Sequence, residues 1–167
     1  MKSMMTMLAV LALATTAAAQ NPPARPAAEQ PAPAPAPGSA GIFKANTDLQ
    51  SVLKAAIAKT NDMASSPIAL TDQYRVNIVH RPKANGAIAH PGNTELHYII
   101  EGSGTVVTGG KIVRKPGAPA SDATIEGGES HKVTKGDVVI VPAGSAHMYS
   151  EVNGEITYLE VRFVAPK

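Results

Sequence analysis

The most constraining feature of this sequence is a series of short segments rich in Val, Ile, Thr and Tyr that are separated by Gly and Pro. The series begins after Asn61-Asp62 and continues nearly to the C-terminus. Such segments favour β-strands, and closely spaced strands with glycine turns are typical of an antiparallel sandwich or barrel. The sequence therefore predicts an all-β domain. Its predicted strands are Ile68–Thr71, Tyr74–Arg81, Ala87–His90, Glu95–Glu101, Thr105–Thr108, Ile112–Arg114, Lys132–Thr134, Asp137–Val141, Ala146–Glu151 and Glu155–Val164.

Two stretches between these strands are predicted to be a turn and a loop. Gly109-Gly110 suits a two-residue hairpin turn, in which both central residues adopt positive φ. The stretch from Lys115 to Asp122 contains two prolines and a glycine. We expect it to be an exposed loop.

One helix is predicted ahead of the strands. Thr47 and Gln50 have the spacing of a capping box, with Thr47 as the N-cap residue. Apolar residues then recur at helical spacing as far as about Lys59. They are Leu49, Val52, Leu53, Ala56 and Ile57. We expect this apolar stripe to pack on the outside of the domain or on a second subunit.

Residues 1–19 have the pattern of a secretory signal. Lys2 supplies the positive start, Leu8 to Ala14 form a short apolar run, and three alanines precede Gln20, the expected new N-terminus. The apolar run is far shorter than the ~20 residues that span a bilayer, so we expect no transmembrane segment in the mature chain. The pattern predicts a periplasmic or secreted protein.

Residues 20–41 are rich in Pro and Ala and have few side chains that could form a core. Such segments are extended, semi-rigid spacers, so we expect a disordered linker here. The folded domain is expected to span residues 42–167, with its barrel at about 68–164.

Composition excludes several kinds of site. The chain has no Cys, which excludes disulfides, thiolate metal sites and Cys nucleophiles. Any metal must therefore be held by nitrogen and oxygen. The formal net charge is only +2, which argues against nucleic acid or an anionic membrane as the main partner. The absence of Trp also argues against a stacking platform for bases or sugars.

Histidines and a glutamate concentrate around two turn sequences. His90 precedes a Pro-Gly turn, and Glu95 begins the strand that follows it. His97 lies two residues further on and points to the same face as Glu95. After a second turn, His147 and Tyr149 share a face of another strand. Imidazole and carboxylate groups inside a barrel suit a divalent first-row metal.

These two segments resemble the motifs of the cupin family. The first motif ends with His, four residues, Glu, six residues and Gly, which here are His90, Glu95 and Gly102. The second motif is matched, with every spacing kept, by Gly136, Pro142, Gly144 and His147. The resemblance implies a cupin-type antiparallel β-barrel (jelly roll). It also implies that His90, Glu95 and His147 hold a divalent metal, for which Fe, Mn, Zn and Ni are candidates.

Two positions depart from the family pattern. The first motif usually begins His-x-His, and its first His falls on Ile88 here, while the final Asn of the second motif is Glu151. Three protein ligands would leave positions for water or substrate. His97 is a candidate for a fourth ligand because strand alternation aims it inward beside Glu95. The missing His is equally compatible with weaker metal binding, or with none.

The remaining polar residues are given less specific roles. His97 and Tyr149 are the candidate catalytic residues, although each is also compatible with a pocket-lining or core position. His80 and His131 are expected to be structural or exposed. Glu160 and Arg162 alternate with apolar neighbours and are expected to face outward, in a surface or subunit contact.

The resemblance leaves two functions open. The first is an exported metalloenzyme that acts on a small molecule, with a reaction of the dioxygenase, decarboxylase, isomerase or lyase type. The second is a non-catalytic module that binds a small ligand or a metal in the same barrel. A homodimer is expected because small cupins commonly pair.

Overall fold

The structure is a computed structural model that describes residues 32–164. The predicted signal segment, residues 1–19, and most of the predicted linker lie outside the described residues, and both remain predictions. The described part contains one α-helix, eight β-strands and a short 3-10 turn at Ala120–Asp122. The helix is α1 (Asn46–Ile57), and the strands are β1 (Ala64–Leu70), β2 (Tyr74–Arg81), β3 (Asn93–Thr108), β4 (Lys111–Val113), β5 (Thr124–Glu126), β6 (Glu129–Thr134), β7 (Val138–Val141) and β8 (His147–Val164).

Two long strands organise the main sheet. β3 has 16 residues and β8 has 18, and they pair antiparallel from one end to the other. On its other side, β8 pairs with β2, which in turn pairs with β1. The other side of β3 pairs first with β7 and then with β6. β4 and β5 form a separate two-stranded sheet. This arrangement confirms the predicted antiparallel all-β jelly roll with one N-terminal helix.

The core lies on the inner face of the main sheet. Tyr149 and Tyr158 of β8 stack with their ring centroids 5.2 Å apart, and both rings are buried. Aliphatic side chains from β2, β3, β6 and β8 surround them. These are Val79, Ile99, Val106, Val133 and Ile156.

The helix is where it was predicted, but it begins differently. Ala45 is the N-cap residue and makes no side-chain capping hydrogen bond, so the predicted role of Thr47 as N-cap is wrong. Thr47 lies inside the first turn instead. Leu53 is the buried residue of the helix, which packs against β1 and β2 on the outer face of the sheet.

Two local predictions differ from the structure, one in secondary structure and one in strand pairing. Ala87–His90 is not a strand, although Ile88 forms an isolated β-bridge with His147. Gly109 and Gly110 have positive φ, as a tight turn requires, but β4 pairs with β5 rather than with β3. The predicted loop at residues 115–122 is largely exposed, as expected.

Candidate metal centre

Glu95 lies at the centre of the cluster that the sequence predicted. It sits on the inner face of β3, where that strand runs between β7 and β8, opposite Val141 and Arg162. Because it is covered from both sides, its side chain is only 2% exposed. A carboxylate buried this deeply requires compensating partners.

His90 and His147 are brought to Glu95 by hydrogen bonds between the two turn segments. Ile88 and His147 exchange backbone hydrogen bonds of 3.0 and 2.9 Å, and the Gly144 N–H donates to the His90 carbonyl. The His90 Nε2 atom is 3.3 Å from Glu95 Oε1, and the His147 Nε2 atom is 3.5 Å from Glu95 Oε2. One potential ligand atom from each of the three residues lies within 4.8 Å of the others. The structure therefore brings the three predicted ligands together.

The orientation of His147 suits a metal ligand. Its Nδ1 atom is 3.2 Å from the Ser145 carbonyl oxygen, which can only accept a hydrogen bond. Nδ1 therefore carries the ring proton, and Nε2 presents a lone pair towards Glu95. Histidines that bind metals commonly donate their second N–H to a carbonyl or carboxylate in this way.

Both imidazoles are held in the neutral form. Burial lowers the pKa of His147, and this effect outweighs the opposing contribution of the Ser145 carbonyl. Burial also lowers the pKa of His90, and the positive charge of Arg162 lowers it further. Neutral imidazole is the form that binds a metal, so the two rings are prepared for that role at neutral pH.

Glu95 is ionised in spite of its burial. Burial alone would raise the pKa of this carboxyl, but the hydrogen bond from His97 and the charge of Arg162 together lower it. Its Oε1 atom is buried and has no hydrogen-bond partner of good geometry among the described residues. Oε1 lies 3.3 Å from His90 Nε2 and 3.2 Å from Arg162 Nε, and Oε2 lies 3.5 Å from His147 Nε2. A buried carboxylate without an aligned donor on one oxygen, together with these two imidazole nitrogens, fits the donor set of a divalent cation. The residues present therefore fit a metal.

His97 and Tyr149 form a hydrogen-bonded chain behind Glu95. The His97 Nε2 atom is 3.2 Å from Glu95 Oε2, and its Nδ1 atom is 3.2 Å from the Tyr149 hydroxyl. Since an ionised carboxylate only accepts, His97 donates through Nε2 and accepts the Tyr149 hydroxyl proton at Nδ1. Burial raises the pKa of Tyr149, which keeps the phenol protonated. In this arrangement His97 orients Glu95, and its role as a fourth ligand stays a prediction.

Arg162 and Glu160 also belong to the cluster, so the prediction that they face outward is wrong. Glu160 is buried, and it accepts hydrogen bonds from Asn77 Nδ2 at 2.8 Å and from Arg162 Nη2 at 3.1 Å. Arg162 also approaches Glu95 and His90. The pairing of β3 with β8 would have predicted the inward orientation of both residues, because Glu95 lies opposite Arg162 and His97 lies opposite Glu160. Residues directly opposite in an antiparallel pair share a face.

The other two histidines in the described part lie outside this cluster. His80 is buried, with its Nδ1 atom 3.3 Å from the Thr157 hydroxyl. His131 is exposed and lies 3.2 Å from Glu129. The placement of both agrees with the structural or exposed roles predicted for them.

An antiparallel jelly roll whose inner face carries histidines and a carboxylate from two turn segments defines a class of small β-barrel proteins. Residues 74–155 match the family model for cupins. Together with the fold, this match shows that the chain belongs to the cupin family. Among curated proteins, none matches the sequence.

Solved structures resemble the fold at low sequence identity. A protein from Bacillus halodurans has a TM-score of 0.50 and 16% identity, covering 83% of this chain and 89% of that one. A cupin superfamily protein from Desulfitobacterium hafniense has a TM-score of 0.45 and 17% identity, with coverages of 64% and 81%. A predicted oxalate decarboxylase from Thermotoga maritima has a TM-score of 0.46 and 18% identity, with coverages of 62% and 81%. Such similarities concern the fold and leave the substrate open.

The part of the chain that the structure describes contains no helix long and apolar enough to cross a membrane.

Proposed function

We propose that this chain is an exported cupin that binds a divalent metal through His90, Glu95 and His147 and acts on a small molecule beside that metal. The observation that carries the proposal is the buried carboxylate of Glu95, whose Oε1 atom lacks a well-aligned donor and whose two oxygens face the neutral imidazoles of His90 and His147. Fe, Mn, Zn and Ni all accept such nitrogen and oxygen ligands. When bound, the metal would polarise a carbonyl or carboxylate, or lower the pKa of a bound water.

The charges around the cluster support both a cation and an anionic ligand. Glu95 and Glu160 carry two negative charges, and Arg162 carries one positive charge, while His90 and His147 are neutral. The excess negative charge favours a divalent cation. Once that cation is present the balance becomes positive, which favours a small anion such as a carboxylate. We therefore propose a small carboxylate as the substrate class.

If the protein is an enzyme, we propose that His97 and Tyr149 hold the proton that the reaction transfers to or from the substrate. The Tyr149 hydroxyl donates to His97 Nδ1, and His97 Nε2 donates to Glu95. This chain joins a protonated phenol to a carboxylate ligand of the proposed metal. The reaction type within the dioxygenase, decarboxylase, isomerase and lyase range is left open, since the fold does not decide it.

The alternative is a non-catalytic cupin that binds a metal or a small ligand. The observation that favours this alternative is Ile88, which stands where the family usually has its first histidine. The backbone of Ile88 pairs with that of His147, so this residue lies beside the cluster, but its aliphatic side chain cannot bind a metal.

We further propose that the mature protein is periplasmic or secreted. The support for this proposal is the signal pattern of residues 1–19 and the Pro/Ala-rich segment that follows it. Expression in a bacterial host, followed by N-terminal sequencing of the exported protein, tests it. Cleavage after Ala19 is expected, and an intact Met1 on a cytoplasmic product would contradict export.

Elemental analysis of protein purified without chelator or His-tag tests the metal proposal. We expect about one first-row metal per wild-type chain, and a metal affinity lowered roughly 100-fold or more in His90→Ala and His147→Ala, since each removes one of few ligands. His131→Ala is the matched control, because His131 is exposed and lies outside the cluster. A wild-type protein that takes up no metal would remove the proposed centre.

Incubation with a panel of small mono- and dicarboxylates, followed by NMR, separates the enzyme from the binding module. Consumption of a carboxylate that stops in His97→Gln supports the enzyme. Saturable binding without consumption supports the binding module.

A further inference from the structure

Arg162 uses the same His90 nitrogen that a metal would need. Its Nη2 atom lies 3.1 Å from His90 Nε2. A guanidinium can only donate hydrogen bonds, so His90 Nε2 has to be the acceptor in this contact. The lone pair that would bind a metal is therefore already occupied by an N–H group.

Arg162 also lies against the second predicted ligand. Its Nε atom is 3.2 Å from Glu95 Oε1. Both atoms are buried, and neither has a hydrogen-bond partner of good geometry among the described residues. The contact is therefore an attraction between opposite charges rather than an aligned hydrogen bond, and the guanidinium neutralises the carboxylate that a metal would otherwise neutralise.

A metal and this position of Arg162 exclude each other. The lone pair of His90 Nε2 cannot accept an N–H and bind a metal at the same time. Two cations held by the same carboxylate would also repel each other. Binding of a metal to His90 and Glu95 therefore requires the guanidinium to move.

The structure provides a place for the displaced guanidinium. The Arg162 Nη2 atom is also 3.1 Å from Glu160 Oε2, and Glu160 is itself fixed by Asn77. The Arg162 side chain is 23% exposed, whereas that of Glu95 is 2% exposed, so Arg162 has room towards the solvent side of the cluster. Arg162 can thus leave His90 and Glu95 while it keeps its bond to Glu160.

We propose that Arg162 is an internal cation that competes with the metal for His90 and Glu95, so that metal binding moves the guanidinium away from both residues while it keeps its bond to Glu160. This inference rests on the proposed function and deepens it, because it identifies the residue that sets the metal affinity of the site.

Isothermal titration with Zn²⁺ of the wild type, Arg162→Gln and Arg75→Gln tests the competition. We expect Arg162→Gln to bind Zn²⁺ at least about tenfold more tightly than the wild type, because a hydrogen bond from a charged donor no longer has to be broken. Arg75 is the matched control, since it lies opposite Arg162 on β2, is exposed, and loses the same charge. Because Arg75 shares the face of Arg162, this control measures the effect of removing one nearby positive charge, and we expect Arg75→Gln to gain far less than tenfold in affinity.

The outcomes separate this inference from the proposed function. If the wild type binds Zn²⁺ as tightly as a folded Arg162→Gln, the competition is refuted while the metal site stands. An equal gain in affinity in Arg75→Gln would also refute it, because the effect would then be one of net charge. If neither the wild type nor Arg162→Gln binds Zn²⁺, Mn²⁺, Fe²⁺ or Ni²⁺, both the metal site and the competition are refuted.

A measurement on the wild-type protein does not depend on the folding of Arg162→Gln. In protein labelled with ¹⁵N-arginine, the Nε–H signal of Arg162 is assigned by its absence from Arg162→Lys. We expect this signal to shift or broaden in proportion to Zn²⁺ binding, because the Nε–H leaves Glu95. A signal that stays unchanged while Zn²⁺ binds would overturn the inference.

Discussion

Tyr149 and Tyr158 stack next to His97, but their hydroxyl groups have partners of different kinds. The Tyr149 hydroxyl donates to His97 Nδ1, whereas the Tyr158 hydroxyl accepts a 2.7 Å hydrogen bond from Arg81 Nε. We predict that Tyr149→Phe lowers the free energy of unfolding by about 1 kcal/mol. Tyr158→Phe should cost about 2 kcal/mol or more, because it leaves a buried guanidinium without its acceptor. Urea denaturation of the two variants measures the difference, and a larger loss in Tyr149→Phe would contradict it.

The pH dependence of stability follows from the lowered pKa values of His90 and His147. In the unfolded chain these imidazoles regain a pKa near 6.5, so the unfolded state takes up protons first as the pH falls. The metal-free protein should therefore lose stability as the pH falls below about 6.5 and through the lower pKa values of the folded state. The lowered pKa of Glu95 acts in the same direction below about 4.5.

Urea denaturation of metal-free protein at pH 7.5, 6.5 and 5.5 measures this dependence. We expect the urea concentration at the unfolding midpoint to fall with each step in pH. The midpoint should depend less steeply on pH in His147→Gln, which removes one of the two imidazoles. A midpoint that rises on acidification would show that the imidazoles are stabilised as cations in the fold.

The sequence placed five residues of the cluster on its inner side, His90, Glu95, His97, His147 and Tyr149, and misplaced Glu160 and Arg162. His90, Glu95 and His147 were identified because their spacing matches a family motif. For Glu160 and Arg162 only the alternation with apolar neighbours was visible. Alternation separates two faces of a strand but does not say which face is inside. Here the polar face lines the site and the apolar face points outward, so the usual assumption of an apolar interior gave the wrong side.

Strands were predicted best where the chain is interrupted by real turns. β2 was predicted with its observed bounds, whereas β3 and β8 were each predicted as two strands. β3 was predicted to end at Glu101. In the structure it continues past this residue, and its pairing with β8 shifts register near Gly102. The start of β1 was missed because Ser65-Ser66-Pro67 is a poor strand sequence, although an edge strand tolerates proline. β5 is only three residues long and has no distinctive pattern.

Gly102 and Gly136 offer a matched test of these irregularities. Both have positive φ, at 83° and 93°, and both belong to the family motifs. A Cβ atom at Gly136 would meet open space, whereas one at Gly102 would collide with the backbone carbonyl of Glu155 on β8. We predict that Gly136→Ala costs about 1 kcal/mol of stability, from the backbone conformation alone.

Gly102→Ala should cost several times more, because β3 and β8 would have to move apart as well. Thermal unfolding of the two variants decides the comparison. Equal losses would indicate that the strands separate easily at this position.

At the scale of the whole molecule, the helix covers only part of the sheet. α1 packs against β1 and β2 on the outer face. The outer face of β8, β3 and β7 is not covered by the described residues. It exposes four large side chains, which we call the outer apolar patch: Tyr98 is 42% exposed, Val138 55%, Ile140 60% and Phe163 37%. Leu96, Leu159 and Val161 lie half-buried between them.

We propose that a second copy of the chain covers the outer apolar patch. The four side chains lie side by side on neighbouring strands, and contiguous exposed apolar surface of this kind often marks an interaction site. Residues 20–31 are unsuited to cover it, because they contain no Val, Ile, Leu or Phe. A second copy presents the same apolar surface, so a two-fold axis through the patch would pair it with itself.

We therefore predict that the protein is a homodimer and that Ile140→Glu converts it to a monomer. Ile140 faces away from the core, so the charge would oppose association without disturbing the metal cluster on the inner face. Light scattering coupled to size exclusion measures the mass of the wild type and of each variant. Val52→Glu is the control, because Val52 is a similarly exposed apolar residue on α1. If Val52→Glu dissociates the dimer while Ile140→Glu does not, the helix forms the interface, and the outer apolar patch then needs another partner.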